Sequence, residues 1–499
     1  MKKVLYGAFI FAAANSMLFS QQNIAERKTD YYFNRENYTN LYYSSGNPAM
    51  LHMDARDERL SIFARNNIDA GEFRGISTPE RDVYYAAGAS GKKNIDSAQT
   101  FKGSFYFDKE IRKSWNYIFT KNYSYSPFLL GDKTTGDSRF NGITLTAEYN
   151  YLVTKKLSLG AAVNYKVDEG LKQISPRPVS NHRTAGLSAG ASYNFFEWLT
   201  AAAAFRTGDY SEEITYSEDE GGVNKETIIL KYNGYGLPVS VSKKNENRKL
   251  SQNQYALNLG FSGTVAGNIK YTVHSEYGWM QEVSKDDASD PYRSGYLKGE
   301  YQEAAVNVLW QPVSPLDLAF TYSFRKDNDW ARHAQYEVLI YNYENNAHSF
   351  SLDTKYQVIK NLGLLAGIDY VVASPDEKDH YSGFYGKAAR TTSGVKAGLS
   401  TFLCDRLTLA GIYIYGNTEF DIKDLINPRS GRIADFMYRF TDYSSHSFEL
   451  SADIGIGDSG TIGVFFSGML VKPTGSNTIF SDGERFYSAT GIDLKLKLY

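Results

Sequence analysis

The chain of 499 residues has a net charge of −2 and is rich in Tyr (40), Phe (29) and Gly (42). Near-neutral charge argues against a nucleic-acid binder, which would carry a basic excess, and the lone Cys404 excludes an intramolecular disulfide. The length would allow two or three soluble domains, but this mixture of aromatics and glycine suits a membrane barrel with aromatic girdles and small inward-facing residues.

Lys2 and Lys3 precede an uncharged apolar stretch, Val4 to Phe19, followed by small Ser20 and polar Gln21-Gln22. This is a secretory signal pattern, so residues 1–20 are expected to be a signal peptide. No Cys follows the stretch, which argues against a lipoprotein. Beyond it no apolar run reaches the length of a transmembrane helix, so any span must be made of strands. Residues 21–57 lack alternation and hold a turn at Gly46-Asn47-Pro48-Ala49. They are expected to form an N-terminal periplasmic or lumenal segment, with the barrel over 58–499.

Four candidate strands come next, at 58–68, 82–91, 99–108 and 114–123. The pattern is clearest from Phe140 onward. Ile143, Leu145, Ala147, Tyr149 and Tyr151 alternate with Thr144, Thr146, Glu148 and Asn150. After the polar turn Thr154-Lys155-Lys156, Leu157, Leu159, Ala161, Val163 and Tyr165 alternate with Ser158, Gly160, Ala162 and Asn164. Two alternating runs joined by a tight turn read as an antiparallel hairpin. The unit recurs at Tyr255–Phe261, Leu316–Arg325, Phe350–Val358 and Phe448–Ile454, and ends with Ile492, Leu494, Leu496 and Leu498 around Asp493, Lys495 and Lys497. The polar faces carry charges that a packed sandwich core could not hold unpaired, whereas a watery lumen could.

Connections alternate in length. Short turns lie near 153–156, 195–198, 263–267, 312–315, 359–361, 403–405 and 456–459. Long polar segments lie near 168–182, 208–250, 278–298, 326–345, 374–390, 417–443 and 472–486. This is the arrangement of short periplasmic turns and long extracellular loops. The fold class is therefore all-β: a transmembrane antiparallel barrel in the outer membrane of a Gram-negative cell. About fifteen strands follow Phe140, and bacterial barrels have an even number. The N-terminal part must supply an odd number, giving about 18 strands, or 16, with one of the four candidates a lumenal or loop segment. Within the longest loop, Thr227–Tyr232 and Leu237–Ser242 flank Asn233-Gly234-Tyr235-Gly236. This predicts a β-ribbon projecting above the outer rim.

No catalytic motif stands out, and neither an enzyme nor a cofactor is expected. His348-Ser349-Phe350 and His446-Ser447-Phe448 repeat a His-Ser pair, but neighbours on a strand point to opposite faces, so neither His can activate its own Ser. The pairs read as rim residues, and an outer-membrane hydrolase is the least favoured function. Glu212-Glu213, Glu218-Asp219-Glu220 and Asp286-Asp287 match no calcium-loop spacing and read as solvated loop charge. No metal site is expected. Glu148, Asp317, Arg325, Asp353, Lys355, Asp369, Glu449, Asp453, Lys495 and Lys497 are the expected lumen lining. Their mixed signs suggest ion pairing, not a single-sign selectivity ring.

Three resemblances carry further expectations. The terminal run YSATGIDLKLKLY with its final aromatic resembles the assembly signal of outer-membrane barrels, although Tyr499 is out of phase with the leucines. It implies engagement of the barrel assembly machinery and contact with outer-membrane lipid and lipopolysaccharide. The alternating strands together with Lys113-Ser114-Trp115-Asn116-Tyr117, Gly131-Asp132 and Gly208-Asp209-Tyr210-Ser211-Glu212-Glu213 resemble a family of outer-membrane barrels of unknown function, which implies no activity. Asn47-Pro48-Ala49 resembles the Asn-Pro-Ala motif of fatty-acid-transporter-like barrels, where the N-terminal segment forms a hatch. A turn with Pro fixing φ is the plain alternative. The expected function is a monomeric passive channel or binding barrel for a small, hydrophobic-leaning solute. The alternative is a non-transporting surface or assembly barrel whose loops bind partners.

Overall fold

The computed structural model describes residues 39–54, 58–75, 77–122, 126–196, 198–216, 228–233, 238–241, 246–286, 292–381, 383–404, 406–426, 438–457, 459–474 and 483–498. The signal segment, residues 21–38, Glu218-Asp219-Glu220, Asp287 and Tyr499 lie outside them.

The wall comprises β1 (Arg59–Gly71), β2 (Arg81–Asn94), β3 (Gln99–Trp115), β4 (Gly136–Leu152), β5 (Leu157–Lys172), β6 (Val179–Phe196), β7 (Leu199–Tyr216), β8 (Glu246–Val265), β9 (Ile269–Asp286), β10 (Tyr292–Val313), β11 (Leu316–His333), β12 (Leu339–Ile359), β13 (Leu362–Ala373), β14 (Phe384–Cys404), β15 (Leu407–Ile426), β16 (Tyr443–Ile456), β17 (Gly460–Pro473) and β18 (Arg485–Lys497). Each pairs antiparallel with its chain neighbours, and β18 closes on β1 from Arg59↔Lys497 to Gly71↔Arg485. The result is a closed barrel of 18 strands. Closure leaves no open edge, the condition a strand-built span must meet. Asp376–Asp379 prolongs β13 beyond Ser374-Pro375 with the same two neighbours.

The parity argument gives the right count. Candidates 58–68, 82–91 and 99–108 fall in β1, β2 and β3, while 114–123 leaves the wall. Trp115, Ile118, Phe119 and Thr120 are buried inside the barrel. Ser114 and Tyr117 take left-handed φ of 50° and 64°, which turns the chain out of the ladder.

Alternation sets the two faces. Leu145, Leu159, Leu257, Phe320, Leu352, Leu450 and Ile492 are exposed on the outside. Thr144, Ser158, Asn258, Asp353, Ser451 and Asp493 are buried inside. The strands run further toward the long-loop rim than the sequence pattern suggests. The connections expected at 278–298 and 326–345 shrink to 287–291 and 334–338, because β9 to β12 continue past them. Above the apolar belt the outward residues are Lys249, Lys285, Lys298, Glu300, Lys326 and Asn328, all exposed. The outward face there is polar, and the inward face mixes Arg248, Ser284 and Asp286 with Leu250, Leu297 and Ala331, so the ladder persists while the hydropathy alternation that reveals it disappears.

Candidate functional site inside the barrel

Two elements occupy the lumen. Near the short-turn rim lies the N-terminal segment: a short helix, Leu41–Ser45, then a 3-10 turn, Pro48–Met53. Asn47 starts the turn. Its Oδ1 accepts from the Ala49 amide at 2.9 Å, and Pro48 sits where a helical turn needs no amide donor. The same side chain donates to the Ala203 carbonyl on β7 at 2.9 Å. The Ala49 carbonyl accepts from Asn150 and Ser158, each at 2.8 Å. The wall makes room with glycine. A Cβ on Gly160 would stand 2.2 Å from the Pro48 carbonyl carbon, and one on Gly190 would stand 2.0 Å from Asn47 Oδ1. Tyr42 donates to Glu148 at 2.6 Å and accepts from Lys102 at 2.7 Å. Burial, opposed by the Ala49 carbonyl bond and aided by Lys92, holds His52 below the ordinary histidine pKa.

Near the long-loop rim a second inward segment, a cork, occupies the lumen. The connection after β3 folds inward, and its Leu130–Asp132 pairs with Ile229–Lys231 from the connection after β7. Ile229–Lys231 pairs in turn with Val239–Val241. The expected ribbon therefore forms, but its pairing carries it into the barrel and not above the rim. Ile229 and Leu230 are buried with Trp115, Phe119, Leu129, Phe140 and Tyr216, and that apolar burial outweighs exposure of the ribbon to water. Phe128 and Phe440 reach across to Tyr210, Leu250, Tyr343 and Phe384. This small sheet is separate from the wall sheet.

Side chains tie the cork to the wall. Arg248 donates to the carbonyls of Leu129 (2.9 Å) and Tyr232 (2.6 Å) and pairs with Asp286 at 2.6 Å. Asp132 takes Lys172 at 2.7 Å and the Tyr216 hydroxyl at 3.0 Å. Lys121 pairs with Asp168. Burial works against the Lys231 ammonium, but Glu246 and Asp286 outweigh it and raise its pKa above the ordinary value. Glu212 and Asp286 are thus not the solvated loop charges their sequence suggests. Glu212 is fully buried and accepts from the Lys121 amide (2.7 Å), Ser180 (2.8 Å) and Tyr210 (2.5 Å). Glu213, the next residue, lies on the opposite face of the same strand.

Between hatch-like segment and cork lies a belt of paired charges. Arg325 meets Asp327 at 2.8 Å and Glu303 at 3.0 Å. Asp353 and Asp369 share Lys396, at 2.6 and 2.9 Å. Asp453 stands 3.7 Å from Lys495. Asp317 lies opposite Lys355 in the register and accepts from Gln311 at 2.8 Å. Glu449 is buried on β16, and Lys497 is exposed at the short-turn rim opposite Arg59. Lys396, Arg206, Lys121 and Arg248 were not singled out in the sequence. Lys396 could have been, since it sits between outward Val395 and Ala397. The His-Ser pairs are separated by the wall: His348 and His446 face outward to Tyr322 (3.0 Å) and Tyr413 (2.7 Å), and Ser447 is buried inside. Outside, a groove of about 1050 Å³ follows the wall, with Tyr85, Phe107 and Ile143 on its apolar side and Lys109, Glu169 and Lys249 on its polar side.

No curated protein matches this sequence. The fold is similar to solved outer-membrane receptors. The ferric citrate transporter FecA has 10% identity and a TM-score of 0.47, over 88% of this chain and 78% of that one. The ferric-catecholate import receptor Fiu from E. coli K12, closed form, has 7% identity and a TM-score of 0.49, over 88% and 82%. The siderophore receptor PiuA from Acinetobacter baumannii has 8% identity and a TM-score of 0.43, over 87% and 81%. A family model matches residues 48–496, and the chain belongs to that family, a family of unknown function (DUF6850).

Proposed function

We propose that the protein is an outer-membrane barrel that binds and passively admits a small, hydrophobic-leaning solute, with its long loops outside and its short turns in the periplasm. One observation supports this most: the cork is a unit of its own. Its small sheet is separate from the wall sheet, and side chains such as Arg248 and Lys121 dock it. A closed wall offers no free backbone edge, so side chains dock the cork, and it can leave while the wall stays closed. The apolar faces it covers, at Tyr210, Leu250, Tyr343 and Phe384, favour a solute with apolar surface. The N-terminal segment at Asn47, Pro48 and Ala49 acts as a hatch on the periplasmic side.

Planar-bilayer conductance and liposome swelling test the reading. The wild type is expected to open rarely, and a variant lacking residues 116–132 to conduct steadily. A heat-modifiable, membrane-inserted deletion variant that never conducts would sink the channel reading and leave a surface or assembly barrel.

A further inference from the structure

We propose that the outer wall of β8–β11 holds the phosphorylated headgroup of an outer-leaflet glycolipid. This rests on the membrane placement proposed above. Phe205, Tyr255, Tyr277 and Trp279 form a contiguous outward row, with ring centroids 5.5–6.4 Å apart. Such a row marks the edge of the apolar belt. Nearer the long loops, up to six residues further along the strands, Lys249, Lys285, Lys298, Lys326 and Arg332 are all exposed.

Their arrangement points to an anion. Lys249 and Lys285 are direct cross-strand partners, and like charges placed opposite one another destabilise a sheet. Lys298 and Arg332 bracket Trp330, each 5.3 Å from its ring, which aims two cations at one spot beside an amphipathic ring. Among the described residues none of these five has a carboxylate partner. Two carboxylates border them: Glu300 takes the hydroxyl of Tyr277, and Glu213, opposite Lys249 in the register, accepts from the side-chain amide of Asn247 at 2.9 Å. Neighbouring wall is different: on β6 and β7 the exposed Arg183 is satisfied by Asp209 at 2.5 Å. The groove described above reaches Lys249 only past Glu169 and Glu213, so the apolar surface beneath the cations is the aromatic row itself, with Leu257 and Leu259 below it. A phosphorylated glycolipid combines these needs: negative charge at the height of the lysines and hydrocarbon below it.

The test uses purified full-length protein in phosphatidylcholine vesicles containing either phosphorylated or dephosphorylated lipid A, followed by gentle extraction and native mass spectrometry. The wild type is expected to retain the phosphorylated form over the dephosphorylated one by about tenfold or more, as several surface cations acting together imply. A K249Q/K285Q/K298Q/R332Q variant is expected to lose that preference, and R183Q to keep it. Equal retention of both lipids by the wild type, or unchanged preference in the quadruple variant, overturns the proposal. Heat-modifiable migration and protease protection in plain phosphatidylcholine vesicles separate the two readings. Insertion without lipid preference overturns this site alone, and failure to insert overturns the membrane placement with it.

Discussion

Arg248 grips Asp286 through two parallel hydrogen bonds, Nε to Oδ1 at 2.6 Å and Nη2 to Oδ2 at 2.9 Å. The fork leaves Nη1 for the carbonyls of Leu129 and Tyr232. One wall residue therefore anchors both chain segments of the cork. Breaking a buried pair of this kind costs roughly 3–5 kcal/mol. Arg248→Gln is expected to free the cork while the barrel survives. Hydrogen exchange should rise at 128–132 and 229–231, and bilayer recordings should show longer openings. Unchanged protection in both segments would count against the anchor.

The hatch seat gives a second prediction. A methyl at Gly160 meets the backbone of Pro48, which has no flexible end to swing aside. Overpacking of this kind costs about 1–3 kcal/mol. Gly160→Ala should raise amide exchange over 40–54 without altering the thermal stability of the wall. A substitution at Gly411, which faces Leu450 across the lipid side, should leave the segment untouched.

The third concerns pH. His52 is held below its ordinary value of 6.5 mainly by burial. A displaced segment therefore takes up a proton near pH 6.5 while the docked one does not. The displaced form binds more protons as pH falls through that value, so docking weakens, and the loss levels off below the docked pKa. Exchange over 40–54, corrected for intrinsic rates, should be faster at pH 5.5 than at pH 7.5. In His52→Asn the difference should vanish. An equal pH dependence in both proteins would show that another group is responsible.

The belt is open to the same kind of test. Leu450 is 58% exposed on the outer face of β16, with Glu449 and Ser451 on either side of it both buried. Arginine on the lipid face near the bilayer midplane costs about 2–4 kcal/mol. Leu450→Arg should lower unfolding stability in lipid vesicles by about that amount, and Asn328→Arg, above the apolar belt, by much less. Equal effects in both would argue against lipid at this height.

The hairpins were legible because lipid outside and polar groups inside impose a period of two on Ile143–Tyr151, Leu157–Tyr165 and Phe448–Ile454. The same physics hid the upper strands. Where Lys285 and Lys298 face water, nothing in the pattern separates strand from loop. The cork was hidden for another reason. Trp115, Phe119 and Phe128–Leu130 are apolar enough to pass for a further wall strand, and what draws them inward lies far along the chain. Glu212 meets Lys121 across 91 residues, and Arg248 meets Leu129 across 119. Gly160 reads as a small inward residue of a hairpin, and only the fold shows that Pro48 rests on it and Asn47 on Gly190.

The seam has a consequence for biogenesis. The ladder between β1 and β18 pairs Arg59 with Lys497, and across it Arg65 forms an ion pair with Asp493, contacts separated by more than four hundred residues. Closing a loop of that size is slow, and until the last strand arrives two unpaired edges invite mispairing with other chains. The barrel therefore cannot ring-close during synthesis. The whole chain must be delivered first, with its edges shielded by some other body until Asp493 finds Arg65. Asp493→Arg should accordingly slow the appearance of the heat-modifiable form more than it lowers the final yield, as followed by pulse-chase on semi-native gels.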